Sequence, residues 1–223
     1  MKEQNGPGLK NYLRRKILKN YLRYNERINR RIFKRFAIPL FGGLHPKNIF
    51  NFRSEFFMQN VDGNDAVIDV GCGTGLILSR IAPLIKKGYG IEMSKDCLEI
   101  CNTRHSAENL KYINGDLLRI DYEALKKETG YTIAIFSHIL EHIEDAPALL
   151  SKVDADKLLI CVPSQENWHT QLLVYLGLPC FSDDTHFREY TREMLKEELA
   201  LTAYHIDFIG FNAEGEIICK ATK

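Results

Sequence analysis

The chain has 223 residues, 45% of them hydrophobic, and a formal net charge of +1. That length suits one α/β domain with an extension and supplies enough apolar side chains for a full core. The near-neutral total excludes a uniformly basic or acidic surface, and no apolar run is long enough to cross a bilayer.

Residues from Leu9 to Phe36 are predicted to form one helix. Leu13, Ile17, Tyr21, Ile28, Ile32 and Phe36 recur at spacings of four or seven, which gives one apolar stripe. From Lys10 to Arg35 there are eleven Lys and Arg against a single acid, Glu26. The segment therefore carries about +10 and the rest of the chain about −9. Such a helix can lie on an anionic membrane surface, bind phosphate groups, or cover the sheet or a partner. Pro39 and Gly42-Gly43 are expected to end it. A short helix from Asn48 to Gln59, with Phe52, Phe56 and Phe57 on one face, completes a basic helical extension over residues 1–60.

After the turn Asp62-Gly63-Asn64-Asp65, β-branched runs alternate with helical segments. The expected strands are Ala66–Val70, Tyr89–Glu92, Leu110–Ile113, Thr132–Phe136, Lys157–Val162, Tyr204–Phe211 and Glu216–Ala221. The expected helices are Leu76–Lys86, Lys95–His105, Asp121–Lys127, Ala146–Lys152, Glu166–Leu176 and Arg192–Ala203, with Thr191 as the N-cap of the last. This alternation implies an α/β domain over 61–223 with a mostly parallel seven-stranded sheet. The last two strands are joined by only Asn212-Ala213-Glu214-Gly215, which predicts an antiparallel hairpin at one edge.

The first strand runs into Gly71-Cys72-Gly73-Thr74-Gly75 and then a helix. Glycines there permit positive φ and let a ligand approach the backbone. The turn sits at the carboxyl end of a strand, where open α/β sheets bind ligands. Its Gly-x-Gly-x-Gly spacing differs from the dinucleotide fingerprint. Asp69, two residues ahead, suits an ammonium better than a pyrophosphate. Glu92, closing the second strand, can accept hydrogen bonds from ribose hydroxyls. Asp116, in Asn114-Gly115-Asp116-Leu117 after the third strand, can accept an adenine amino group or close an Asx turn.

These residues, with Phe136-Ser137-His138-Ile139-Leu140-Glu141-His142-Ile143, resemble the ordered motifs of the class I S-adenosylmethionine (SAM)-dependent methyltransferases from about Asp65 to the last residue. The resemblance implies a Rossmann-like sheet and SAM as cofactor. It implies that Asp69, Gly71, Gly73 and Gly75 hold the methionine end, Glu92 the ribose, and Asp116 with Leu117 the adenine, with Met93 a further cofactor-binding residue. Ser137 and His138 would lie beside the sulfonium. One departure is Lys152-Val153-Asp154-Ala155-Asp156, which replaces the Lys-Pro-Gly-Gly turn of many relatives.

Methyl transfer is an in-line displacement in which the protein mainly positions the acceptor, adding a base for a hydroxyl. His138, Glu141, His142 and His186 are the candidates. Either His142 or His186 is a general base, or the four ligate a divalent metal, or the Glu-His pair ties the fourth strand to the next helix. The metal alternative follows a resemblance to small-RNA 3′-terminal 2′-O-methyltransferases, in which an acid stands where this chain has His138. The expected catalyst works without metal.

The acceptor must be recognised by whatever caps the site. The segment Pro163–Asp184 carries Trp168, which can stack on a sugar or planar ring or pack as a lid. The block Gly43-Leu44-His45-Pro46-Lys47 resembles openings of methyltransferases of bacterial surface-polysaccharide synthesis. The expected acceptor is a small molecule or glycan precursor, methylated on oxygen. The alternatives are metal-assisted methylation of an RNA ribose and a non-catalytic SAM-binding partner protein. Without an aromatic-rich basic module, nucleic acid is the less expected partner. The six cysteines form no Cys-x-x-Cys pair, and the basic N-terminus lacks a signal-peptide core. Reduced thiols in a cytoplasm are expected.

Overall fold

A computed structural model describes residues 9–40, 52–178 and 185–223. The expectations on Gly42-Gly43, the Gly43–Lys47 block and residues 48–51 fall outside these residues. The chain divides into two compact units, residues 1–51 with 168–180 and residues 52–167 with 181–223.

The larger unit is built on a seven-stranded sheet with strands β1 (Ala66–Val70), β2 (Lys87–Glu92), β3 (Leu110–Asn114), β4 (Ile133–Ser137), β5 (Lys157–Val162), β6 (His205–Phe211) and β7 (Ile217–Thr222). Their order is β3-β2-β1-β4-β5-β7-β6. β1 to β5 pair in parallel, and β7 joins antiparallel to both β5 and β6. The expected edge hairpin is therefore present. Asn212 and Gly215 close it: the Asn212 side-chain oxygen accepts from the backbone N–H of Glu214 and Glu216.

Alternation along the central strands divides the core between the two faces of the sheet. Val67, Ile133, Ile135, Leu159 and Cys161 pack with Phe56, Phe57, Leu78 and Ile81. Ile68, Val70, Ala134, Phe136, Leu158 and Ile160 pack with Leu149, Leu150, Leu195 and Leu199. Every residue of β1 is buried, as expected for a central parallel strand.

The helices start where the sequence places caps. Ser94, Asp121, Asp145 and Thr191 each accept a hydrogen bond from a backbone N–H three residues on. The helix after the glycine turn is shorter than the expected Leu76–Lys86. It runs Leu76–Ile81 and tightens into a 3₁₀ turn at Ala82–Leu84. Pro83 is the physical reason, since it cannot donate to the helical ladder. The loop that departs from the Lys-Pro-Gly-Gly pattern is closed by Tyr204, whose hydroxyl accepts from Ala155 N and lies 2.7 Å from Val153 O.

The smaller unit contains α1 (Leu9–Ile32), which continues through a π-helical segment, Phe33–Ala37, to a last turn at Ile38–Leu40. The same unit contains α2 (Trp168–Leu176) from the segment after β5. The Arg15 guanidinium stacks 5.1 Å from the Tyr175 ring centroid and donates to Tyr175 O. The helix Phe52–Met58, read from sequence as part of the extension, belongs to the sheet-bearing unit.

Thr191 Oγ1 accepts from Met194 N at 3.1 Å at the start of Arg192–Ala200, whose Leu195 and Leu199 enter the core. Thr191→Ala should lower unfolding free energy by about 1 kcal/mol in chemical denaturation. Thr191→Ser should retain most of it.

Candidate active site

The sheet order reverses between β1 and β4, so the connections leaving their carboxyl ends diverge and open a crevice. β1 delivers the glycine turn to it, and the N–H groups of Gly71 and Cys72 both donate to Ile91 O, at 3.0 and 2.9 Å. The turn's glycines do different work. At Gly71 (φ 80°) a Cβ would lie 2.7 Å from Ile139 Cδ1, so glycine is required for packing. At Gly73 (φ 53°) a Cβ would meet nothing within 4 Å. The backbone there faces open space that a ligand can use.

Asp69 is 1% exposed, and its Oδ1 accepts no hydrogen bond among the described residues. Burial, followed by the nearby charge of Glu92, pushes its carboxyl up to about 7. A buried acid with an orphaned oxygen beside an open glycine cradle fits a cationic ligand group. Glu92 accepts from Gly73 N at 3.0 Å and Ser94 N at 2.7 Å, one bond on each oxygen. Each oxygen has a second lone pair, which leaves capacity for ribose hydroxyls. Asp116 closes an Asx turn through Leu118 N at 3.0 Å and meets Arg119 at 3.3 Å. Leu117 O accepts from the Tyr122 hydroxyl, and Met93 is exposed.

The residues after β4 fall into two groups. His138 has φ 54°, a left-handed conformation that costs a non-glycine residue of order 1 kcal/mol. Its N–H donates to Cys161 O at 2.9 Å. Its Nε2 lies 2.8 Å from Glu216 Oε1 and its Nδ1 3.5 Å from Glu141 Oε1. Glu216 is also held by Arg53 and by Asn212 Nδ2 at 2.8 Å. Burial works against its charge, but the bonds from His138 and Arg53 win and hold it well below the usual carboxylate range.

The second group is Glu141, His142 and His186, whose ligating atoms lie within 4.8 Å of one another. Glu141 is fully buried, and neither carboxylate oxygen accepts a hydrogen bond among the described residues. Burial pushes it up to about 8, with the charges of Glu189 and Glu216 adding to the shift. The rings of His142 and His186 meet edge to face with centroids 4.5 Å apart. His186 Nδ1 lies 2.9 Å from Glu189 Oε1, and His142 Nδ1 lies 3.0 Å from Thr185 Oγ1. The N–H of Phe187 donates to Glu141 O, tying the distant loop to the β4 turn. The four expected residues are thus divided: His138 turns to Glu216, and the other three cluster. Sequence reading missed Arg53 and Glu216, since nothing local marks partners 163 residues apart, and it missed Glu189, whose pairing with His186 shows only in the fold.

The profile of the methyltransferase-domain family matches residues 11–204, and the chain belongs to that family. It is 30% identical over 112 residues to a ubiquinone biosynthesis O-methyltransferase of Hydrogenovibrio crunogenus, a match covering 49% of this chain and 45% of that one. The chain thus matches less than half the length of that relative. Magnesium protoporphyrin IX methyltransferase of Synechocystis PCC 6803, solved with bound S-adenosylhomocysteine (SAH), shares the fold. Its TM-score is 0.58 at 16% identity, covering 89% of this chain and 99% of that one. The methyltransferase domain of bacterial CtHen1 matches at TM-score 0.57 and 18% identity, covering 78% and 98%. The chain thus carries a methyltransferase domain, and its fold is the one seen in the class I methyltransferase solved with SAH.

Asp69 gives the site a pH signature. An ammonium group placed against Asp69 would select the ionised carboxylate, so affinity for such a ligand should rise with pH through about 7. Calorimetry should show SAH binding strengthen roughly tenfold from pH 6 to pH 8, with proton release on binding at pH 6. Asp69→Asn should bind weakly and lose this dependence. Gly73→Arg should abolish binding by filling the cradle; unchanged affinity in that variant would show the cradle lies elsewhere.

Proposed function

We propose that the chain transfers the methyl group of SAM to an oxygen of a small molecule or glycan precursor, with His186 as the base. The observation that carries this reading is the Glu189–His186–His142 arrangement, in which the loop before Arg192–Ala200 meets the turn after β4. Glu189 favours the tautomer with the proton on His186 Nδ1, which puts the basic lone pair on Nε2.

SAM supplies an electrophilic methyl carbon whose leaving group is a neutral thioether, so no acid is needed for departure. The chain's task is to hold the acceptor in line and take its proton. His186 takes the proton from the hydroxyl, and Glu189 stabilises the imidazolium that results. His142, braced by Thr185, holds the hydroxyl toward His186. In this reading Asp69 holds the ammonium, Glu92 the ribose and the Asp116-Leu117 segment the adenine. The O-methyltransferase among its relatives supports oxygen as the acceptor atom.

A second reading keeps the cluster and adds a divalent ion on Glu141, His142 and His186, favoured by the closeness of their ligating atoms, all within 4.8 Å of one another, and by the burial of Glu141. The ion would bind the acceptor hydroxyl, of a small molecule or a ribose, and ease its deprotonation.

Isotopic methyl transfer to a panel of hydroxylated acceptors, with and without chelator, separates the two. The base reading expects chelator to have no effect, His186→Gln to lower kcat by roughly 10²–10⁴-fold and Glu189→Gln to lower it less, with SAM affinity intact. Loss of activity on chelation, restored by a divalent ion, favours the second reading. Methylation confined to nitrogen overturns the oxygen assignment, and SAH binding without turnover on any acceptor favours a non-catalytic partner.

A further inference from the structure

α1 is 24 residues long, about 36 Å, and its apolar positions share one arc. Leu13, Ile17, Tyr21, Tyr24, Ile28 and Ile32 follow one another at steps of three or four. Within their own unit those side chains are not packed away: Ile17 is 68% exposed, Tyr21 61% and Tyr24 67%. A row of isoleucines and tyrosines left in water over that length is costly unless something covers it.

α2 does not cover the row. It meets α1 through Arg15, which stacks on Tyr175 and donates to its carbonyl oxygen. Arg15 lies on the far side of the helix from the apolar arc, at 100° per residue. α2 adds exposed aromatic surface of its own through Trp168 and Tyr175.

Charge selects the occupant. Eleven Lys and Arg against one acid run from Lys10 to Arg35, and Lys16 and Arg23 lie on the basic face, about 60° and 80° round the helix from the Leu13 edge of the stripe. A second copy would bring another segment of about +10 against the first, which opposes pairing through this face. A nucleic-acid backbone would satisfy the basic arc and leave the apolar one in water. An anionic bilayer surface satisfies both, with apolar side chains entering the headgroup boundary, tyrosines at that level, and the Lys and Arg meeting lipid phosphates. The described helices include none long and apolar enough to cross a membrane, which is consistent with a helix lying in the surface plane.

We propose that α1 is a membrane-surface helix that docks the protein on anionic phospholipid. This binding is independent of the cofactor site and of the acceptor assigned above.

The test is sedimentation of the full chain with vesicles of phosphatidylcholine alone or with about one third phosphatidylserine. At low salt, partitioning onto the anionic vesicles should exceed that onto neutral ones at least tenfold, and 0.5 M NaCl should remove most of the difference. Ile17→Glu combined with Tyr24→Glu should abolish binding, and Lys16→Glu with Arg23→Glu should abolish the preference for anionic lipid. SAH calorimetry on each variant reports that the sheet-bearing unit is folded. Equal partitioning onto both vesicle types, or no partitioning, overturns the proposal. Full binding by the Ile17/Tyr24 variant does so too, because it would reduce the effect to charge adsorption. A dimer in sedimentation equilibrium that the same variant dissociates would make the stripe a contact between copies. Displacement from vesicles by a short RNA that itself binds more tightly than lipid would make nucleic acid the partner.

Discussion

The site depends on a carboxylate placed where a carboxylate is costly. Asp69 lies on the most buried strand of the sheet, with one oxygen unbonded among the described residues and Glu92 nearby in the same crevice. Burial and like charge together keep its proton on to near neutrality. A hydrophobic residue would be cheaper for folding, so the acid makes sense only with a cation to receive. The glycine turn supplies the route to it. Gly71 lets Ile139 close on the backbone, while Gly73 keeps that side open. Rigid packing behind the turn and open space in front of it thus arise from two glycines two residues apart.

The acids of the crevice show how one kind of side chain is set to different tasks by its neighbours. Asp69 and Glu141 are buried, and burial moves both up, toward a protonated, neutral state. Glu216 is partly buried, and Arg53 and His138 hold it charged. Glu92 is satisfied by two backbone N–H groups. The distinction is the number of donors within reach, which is decided by the fold and not by residue type.

That distinction also explains what the sequence made legible. The glycine turn, Glu92 and the Thr191 cap rest on spacing within a few residues, and the structure places them on strand ends and a helix start as read. The carboxyl-edge hairpin followed from a loop too short to hold a helix. The helix from Leu76 stops early because Pro83 outweighs the apolar pattern around it. The Arg53–Glu216 pair spans 163 residues of chain. It exists only because the helix Phe52–Met58 belongs with the sheet, and no local pattern records that. Glu189 is near His186 in sequence, but its role appears only once His142 arrives from β4 to form the other wall.

Composition hides as much as it reveals. A total of +1 describes neither part of this chain, since about +10 on one helix offsets about −9 elsewhere. Charge averaged over a chain governs solubility, whereas docking depends on charge held on one face and on what that face also contains. On α1 the basic residues accompany an apolar arc, and neither can be satisfied by a partner that reads only the other. The same logic runs through the crevice, where the buried Asp69 carboxyl lies beside glycine backbone open at Gly73. In both places a partner has to match a charge and a shape at once, and that joint demand gives each surface its selectivity.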